Sequence, residues 1–484
     1  MRRLPRLSIR LFESLRHRPA TWSLIGLVSG LCLAEAQWLS GPLIAVLCLA
    51  FSLALNPRWI IPAALLALGF YRYWFAVGPA ELPRGSVQPP IVAQCLEDAE
   101  PTRNGHRALA RVSDRHKAYL YLNGPWDRLP ERGQWVEIAR PLTPIIRTRM
   151  REPYLRFLIK RRIAYTASLY PGDLKTLSPP DSGLAARMAD SRRAFRTRLR
   201  AAMPERTAAV AEGVILGAGS DFPKRDRERF ARSGLAHMLS ASGLHVGVAA
   251  LIVTWLTGLL PWPFWSRRAL ILAAVWLYAA MAGFNPPIVR AAIMISAWAI
   301  APLIWREFDG LSALACAAVV WLIIAPNALW EAGFRLSFAA MIGILLLYIR
   351  IKRPLESSLR PLPYKPRRFI AGGAAVSMAA LIGLLPVQAS TFGFFPVMSI
   401  AANLLASPAL PVVMFGGAIA ALWPWLGGLI ADLGSRWILF VADRLGDPTA
   451  PVLSLPALPD WAILAYLALL LALAPEPATE DPLE

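Results

Sequence analysis

Between residues 234 and 247 the chain reads GLAHMLSASGLHVG, which places His237, Ser240, Ser242 and His245 within a nine-residue stretch. A serine beside a histidine is the pairing of a nucleophile with its general base, and two histidines can begin a metal site. The spacing argues against both. On one helix His237 and His245 would stand more than two turns apart, ~12 Å at 1.5 Å per residue, too far to share an ion. A nucleophilic triad needs a third group to orient the base, and the nearest acids, Asp221, Asp226 and Glu228, sit at no spacing that serves. A zinc hydrolase needs clustered ligands, yet the five histidines, His17, His106, His116, His237 and His245, are scattered. The stretch fits better as small and polar residues, Gly234, Ser240, Ser242, Gly243 and Gly247, that let membrane helices approach or let backbone open beside a cavity. A membrane-embedded hydrolase using Ser240 or Ser242 with His237 or His245 stays as the alternative, as does plain helix packing.

Three further stretches carry polar groups inside apolar surroundings. In GFNPPIVRAAIM, Asn285 suits a helix N-cap, Pro286 and Pro287 suit the first turn, and Arg290 lies a turn further in. Arg290 either snorkels to the interface or faces an aqueous path that carries anions. In WEAGFRLSFAAMIG, Glu331 and Arg335 are four apart, a spacing that lets them neutralise each other on one helical face. In LLPVQASTFGFFPVMSIAANLLASPALP, Gln388, Ser390, Asn403 and Ser407 stand around proline breaks, as expected of a cavity lining.

The elements that must hold these residues are mostly apolar helices. The 484 residues are 56% hydrophobic, with 18 Trp and 42 Pro, and the mean hydropathy is +0.46. Apolar blocks recur at about the length that crosses a ~30 Å hydrocarbon core, which marks a polytopic membrane protein rather than a soluble enzyme. Blocks at 22–38, 40–55 and 59–77 follow a basic start, MRRLPRLSIRLFESLRHRP, that reads as a signal anchor with a cytoplasmic N-terminus. Residues 80–180 change character: HRALARV, KAYLYL and QWVEIA carry strand formers separated by turn sequences, the pattern of a small β-barrel on the far side of the membrane. LAARMADSRRAFRTRLRAAM, 184–203, has apolar residues at helical spacing among arginines and reads as an interfacial helix or a solvated connector.

Further apolar blocks follow at 243–260, 269–283, 288–305, 311–325, 331–349, 369–389, 397–425 and 460–474, the seventh interrupted by SPALP. Seven Lys and Arg against one Glu between Arg350 and Arg368 mark the strongest cytoplasmic loop. The expected organisation is therefore N-terminal membrane helices over 1–79, an extracytoplasmic β-region over 80–180, interfacial helices over 181–239, a membrane domain over 240–475 and a disordered tail over 476–484. That makes a polytopic α-helical membrane protein of about ten or eleven crossings with a small inserted barrel. The net charge of +20 suits anionic partners, and Cys32, Cys48, Cys95 and Cys316 are expected as free, buried thiols. No Gly-x-x-x-x-Gly-Lys-Ser/Thr loop for nucleotide occurs, and no metal or organic cofactor is expected.

The chain resembles the ComEC family, polytopic channel proteins that internalise DNA during natural transformation. The matching stretches, in order, are GVILGAGSDFPKRDRERFARSGLAHMLSASGLHVG, WLYAAMAGFNPPIVRAAIM, APNALWEAGFRLSFAAMIGIL and LLPVQASTFGFFPVMSIAANLLASPALP, from about Gly213 to Pro411. The N-terminal half is similar more weakly, through EPYLRFLIKRRIAYTASLY. The resemblance implies an inner-membrane channel for single-stranded DNA with no catalysis of its own, preceded by an OB-like barrel. It also implies, as partners, the lipid membrane, a periplasmic DNA-binding receptor, a separate nuclease and a cytoplasmic helicase motor. His237, Ser240, Ser242, Gly243, His245, Gly247, Asn285, Arg290, Arg335, Gln388 and Asn403 are the expected gate and channel residues. In the barrel, Arg115, Lys117, Tyr119, Tyr121, Trp126, Arg128 and Trp135 supply the charges and rings that suit a single strand, although the rings equally suit a barrel core. Many family members continue into a metallo-β-lactamase-like domain with a His-x-His-x-Asp-His motif, which this sequence does not contain.

Overall fold

A computed structural model describes residues 28, 85–96, 99–102, 105–113, 116–126, 129–130, 133–145, 158 and 163–177, and then 184–472 apart from 218–221, 241, 260, 285, 306, 448 and 457. The expected crossings over 22–77, the side of the N-terminus, the tail 476–484, and Arg115, Arg128 and Asn285 lie outside these residues. The described chain divides into two compact units, one within Arg72–Phe195 and one from Arg196 onward.

The first unit is a sheet. Strand β1 (Ile91–Cys95) buries Ile91, Ala93 and Cys95 and turns Val92 outward, the period of two that a half-buried strand requires. HRALARV, KAYLYL and QWVEIA become β3 (Gly105–Arg111), β4 (Lys117–Asn123) and β5 (Trp135–Ile138), with β2 (Glu100–Thr102) added on β3. β6 (Thr143–Pro144), β7 (Ile163–Leu169) and β8 (Leu174–Thr176) complete it. The order is β6-β7-β4-β3-β1-β5-β8, with β4 and β7 parallel. The path has free ends at β6 and β8 among the described residues, so it is an open sheet where the sequence pattern predicts a closed barrel. Ala108, Ala110, Ala118, Leu120, Leu122, Val136 and Ile138 fill one face. Leu109, Tyr119, Ile145, Leu158 and Ile163 form a second cluster.

The second unit is helical: α1 (Leu184–Ala202, which begins in the first unit), α2 (Glu205–Leu216), α3 (Lys224–Ser233), α4 (Gly243–Gly258), α5 (Phe264–Met281), α6 (Pro286–Ile300), α7 (Gly310–Ile324), α8 (Ala332–Ser358), α9 (Tyr364–Phe392), α10 (Ser399–Ala406), α11 (Ala409–Ala420), α12 (Pro424–Leu445) and α13 (Asp460–Ala472). A short antiparallel pair, β9 (Phe394–Pro396) with β10 (Val452–Ser454), joins the ends of α9 and α12. Ile271, Val275 and Ala279, spaced by four on α5, pack with Val246 of α4 and Ile288 and Ala292 of α6. By length and composition α8, α9 and α12 can each cross a bilayer, and α10 with α11, bent by 43° at the SPALP break, makes a fourth if the pair is one span. Helices such as α7, with 15 residues, are apolar but shorter, ~23 Å at 1.5 Å per residue. Of the two described cysteines, Cys95 is buried as expected, whereas Cys316 lies exposed on α7.

α12 corrects the block pattern, which passes over most of its length. Asp432, Arg436, Asp443 and Arg444 interrupt its hydropathy, yet Leu429, Leu433, Trp437 and Phe440 leave an apolar stripe on the surface while Asp432 and Ser435 turn inward.

Candidate functional site

The GLAHMLSASGLHVG stretch is a helix, a break and a second helix. α3 ends at Gly234, whose φ of +78° is the left-handed conformation glycine adopts at a C-cap. A β-carbon there would lie 2.5 Å from Ser399 Cβ at the start of α10, so packing as well as φ demands glycine. One 3₁₀ turn, Ala236–Met238, follows. On it the His237 ring sits 3.0 Å from Gly234 O, and the Ser240 hydroxyl donates to His237 O at 3.1 Å.

α4 then starts on a cap built by Ser242 and His245. The Ser242 backbone N–H donates to His245 Nδ1 at 3.0 Å, and the Ser242 hydroxyl lies 2.8 Å from the same nitrogen. His245 occupies the N3 position where a capping box ordinarily carries Glu or Gln, and it is fully buried. The serine and the histidine thus satisfy helix ends. Among the described residues no three His, Cys, Asp or Glu side chains form a group that could hold a metal ion.

Arg290, on the second turn of α6, points at this cap. Its Nη2 lies 2.6 Å from where a β-carbon of Gly243 would stand, so Gly243 leaves the room the guanidinium occupies. Nη1 donates to Ser337 O of α8 at 2.7 Å, and the group lies over the Phe338 ring, 5.7 Å from its centroid. Arg290 is 6% exposed, so it does not snorkel. Gly247, by contrast, has nothing within 4 Å of its would-be β-carbon.

The remaining channel candidates are dispersed. Glu331 stands at the N-cap position of α8 without a side-chain cap bond, and the Arg335 backbone N–H donates to its carbonyl at 3.1 Å. α9 runs unbroken through Pro386. Beyond that proline, the Gln388 amide donates to Phe394 O at 3.3 Å, while Ser390 Oγ bonds the backbone of Leu458. Asn403 Oδ1 on α10 is buried with no hydrogen-bond partner, as are Ser399 Oγ four residues before it and Ser435 Oγ of α12.

A set of ion pairs missed by the sequence pattern braces α1, α2, α3 and α12. Glu212 of α2 is wholly buried and accepts from Arg200 Nε and Nη2 at 2.5 and 2.8 Å. Arg206 donates to both oxygens of Asp226 on α3 and of Asp443 on α12, and Arg229 also donates to Asp443. Those bonds, from Asp226 first and Asp443 second, hold the Arg206 guanidinium above its ordinary pKa, against the opposing effect of burial. The Thr207 hydroxyl donates to Asp432 of α12 at 2.5 Å, and Asp432 also accepts from Arg436. Only the fold brings the long-range pairs together, since Thr207 and Asp432 are 225 residues apart.

In the sheet unit, Tyr119 is 4% exposed beneath the Arg107 guanidinium, which lies 4.5 Å from its ring centroid. Lys117 and Tyr121 are half-buried on the same strand, and Trp126 packs against the core with Nε1 donating to Asn123 O. Trp135 is 44% exposed. The register aligns it with Gln94, and Gln94 with the exposed Arg111, so a ring and a cation share one cross-strand row. Arg111 is legible as a partner of Trp135 only once that register is known.

Comparison with known proteins adds a family. The family described as Competence protein matches residues 214–478. ComE operon protein 3 of Bacillus subtilis is 29% identical over 191 residues, covering 40% of this chain and 23% of that protein. Competence protein ComA of Neisseria gonorrhoeae is 29% identical over 265 residues, covering 51% and 35%. An uncharacterized protein of Escherichia coli, YcaI, is 29% identical over 245 residues, covering 49% and 31%. The matched part spans about a quarter to a third of these relatives. No solved structure matches the chain.

Proposed function

The chain belongs to the competence-protein family, and from that premise we propose that it is an inner-membrane channel through which single-stranded DNA reaches the cytoplasm during natural transformation. The observation that carries this reading is the interrupted start of α4. There the left-handed Gly234, one 3₁₀ turn and the Ser242–His245 cap replace continuous helix beside the buried Arg290. Interrupted helices whose N-termini face a polar path are how membrane proteins bind anionic groups without exposing backbone to lipid. The gate is formed by 234–247, and the half-buried and unpartnered polar groups of α6, α9 and α10 line the path.

The sheet unit acts as an OB-like collector of the strand. Two features support that part: the parallel β4–β7 pair, and the stretch 135–144, whose β5 half pairs with β1 while its β6 half pairs with β7. Treated as one bent strand, this stretch would link both ends of the circuit β1-β3-β4-β7, as barrel closure requires. The Trp135–Gln94–Arg111 row then offers stacking and charge on one face. The protein performs no bond cleavage in this reading. A cytoplasmic motor pulls the strand, a separate nuclease removes its complement, and a periplasmic receptor delivers the duplex.

Deleting the gene and scoring transformants with purified DNA tests the proposal. Loss of transformants, restored by the gene in trans, is expected; unchanged numbers would sink the channel. Normal transformation with altered uptake of another polyanion would favour a different reading, a transporter of another anionic substrate.

A further inference from the structure

We propose that Arg290 and the first turn of α4 form a binding site for a single phosphodiester group, with Gly243 as the residue that lets the guanidinium reach the turn. The inference deepens the channel reading and rests on it for the source of the phosphate. It starts from an electrostatic imbalance inside the helical unit. Arg290 is 94% buried by its 6% exposure, and among the described residues no carboxylate pairs with it. One of its nitrogens, Nη1, is satisfied by Ser337 O, whereas Nε has no partner. A buried guanidinium in that condition is costly, and proteins keep such a group where an anion visits.

The surroundings offer it one carbonyl and one ring face, with no full negative charge among the described residues, and a helix N-terminus beside them. Nη2 is aimed at Gly243, the first residue of α4, a 16-residue helix whose leading N–H groups carry the positive end of the helix dipole. The cap takes care of the Ser242 and His245 backbone and leaves the N–H groups of Gly243 and Leu244, which precede the first intrahelical bond. Arg290 itself lies five residues into α6, and α8 meets it with the Ser337 carbonyl, so α4 is the helix that presents its leading N–H groups beside the guanidinium. Backbone N–H groups with a planar guanidinium beside them match the oxygens of a phosphate.

The geometry also explains the glycine. With a β-carbon at 243 only 2.6 Å from Nη2, any side chain would displace the guanidinium from the turn. The other neighbours of that position, Ala291 Cβ at 3.4 Å and Pro287 O at 3.6 Å, are ordinary contacts, so the arginine alone sets the requirement.

The test uses the full chain purified in dodecyl maltoside and follows its thermal midpoint while inorganic phosphate is titrated. Arg290→Gln is expected to weaken the apparent phosphate affinity at least about tenfold, the loss of one charge-assisted contact. Arg290→Lys is expected to retain part of it. Gly243→Ala, which keeps the arginine but moves it, is expected to weaken it as well, and it serves if Arg290→Gln does not fold. Competition then separates the sources: displacement of phosphate by a short oligothymidylate identifies the strand, and displacement by phosphatidylglycerol identifies a lipid headgroup. Identical titrations in wild type, Arg290→Gln and Gly243→Ala would overturn the site. Phosphate binding needs no transport, so an intact titration with failed transformation tests would count against the channel and leave the site standing.

Discussion

Gly343 of α8 and Gly383 of α9 face each other so closely that a β-carbon on either would lie 2.8 Å from the other's Cα. Ala379 O and Ala339 O are nearer still, 2.2 and 2.4 Å from those positions, so two of the longest helices meet backbone to backbone. Gly343→Ala and Gly383→Ala should each destabilise by about 1–3 kcal/mol, the cost of overpacking a close crossing. Gly247→Ala should be neutral or slightly stabilising, because open space surrounds that position within α4. Thermal midpoints by size-exclusion fluorescence check both; equal losses at 247 and 343 would refute the assignment.

The Ser242–His245 cap gives a second prediction. Ser242→Ala should cost about 1 kcal/mol through loss of the cap, whereas Ser242→Asn, a capping residue without a nucleophile, should keep both stability and transformation. If Ser242→Asn were inactive while folded, the hydrolase alternative would regain force, and an assay for hydrolytic turnover would follow.

Asp443 accepts from two arginines that come from different helices. Asp443→Asn should loosen α12 from α2 and α3. The expected loss is about 1–2 kcal/mol, the lower part of the range for breaking an ion pair, because Arg206 and Asp443 are partly exposed. Limited proteolysis near the α12 end, faster in the variant, would register it.

Trp135 and Tyr119 separate binding from core roles in the sheet unit. Trp135→Ala should weaken binding of a labelled single strand by about 1–3 kcal/mol, whereas Tyr119→Phe should leave it unchanged. Binding should fall as salt rises, and a flat salt response would contradict contact with phosphates.

Much of this architecture is legible in the chain because periodicity reports burial. Strand formers between turn sequences in HRALARV and KAYLYL mark β3 and β4, which bury residues on both faces, and the apolar blocks mark the helices from α4 to α11. α12 escapes because hydropathy counts Asp432 and Asp443 against it, whereas in the fold Arg436 on the same helix and Thr207, Arg206 and Arg229, over two hundred residues earlier, partner them. The α4 cap is half legible: Ser-x-x-His has the spacing of a capping box but not its usual acid. The reach of Arg290 to Gly243 is invisible in sequence, since it depends on how α6 crosses α4.

The stitching of α2 to α12 also bears on how the protein is made. An isolated α12 would carry Asp432 towards the bilayer centre, at about 2.5–3.5 kcal/mol for a charge there, and Asp443 near its end, both without their long-range partners. Their partners Thr207 and Arg206 emerge from the ribosome far earlier and must wait, 225 and 237 residues, for them. The bracing of α2 by α12 therefore cannot form until residue 443 has been translated, and a product cut short before residue 424 would leave Arg206 without Asp443.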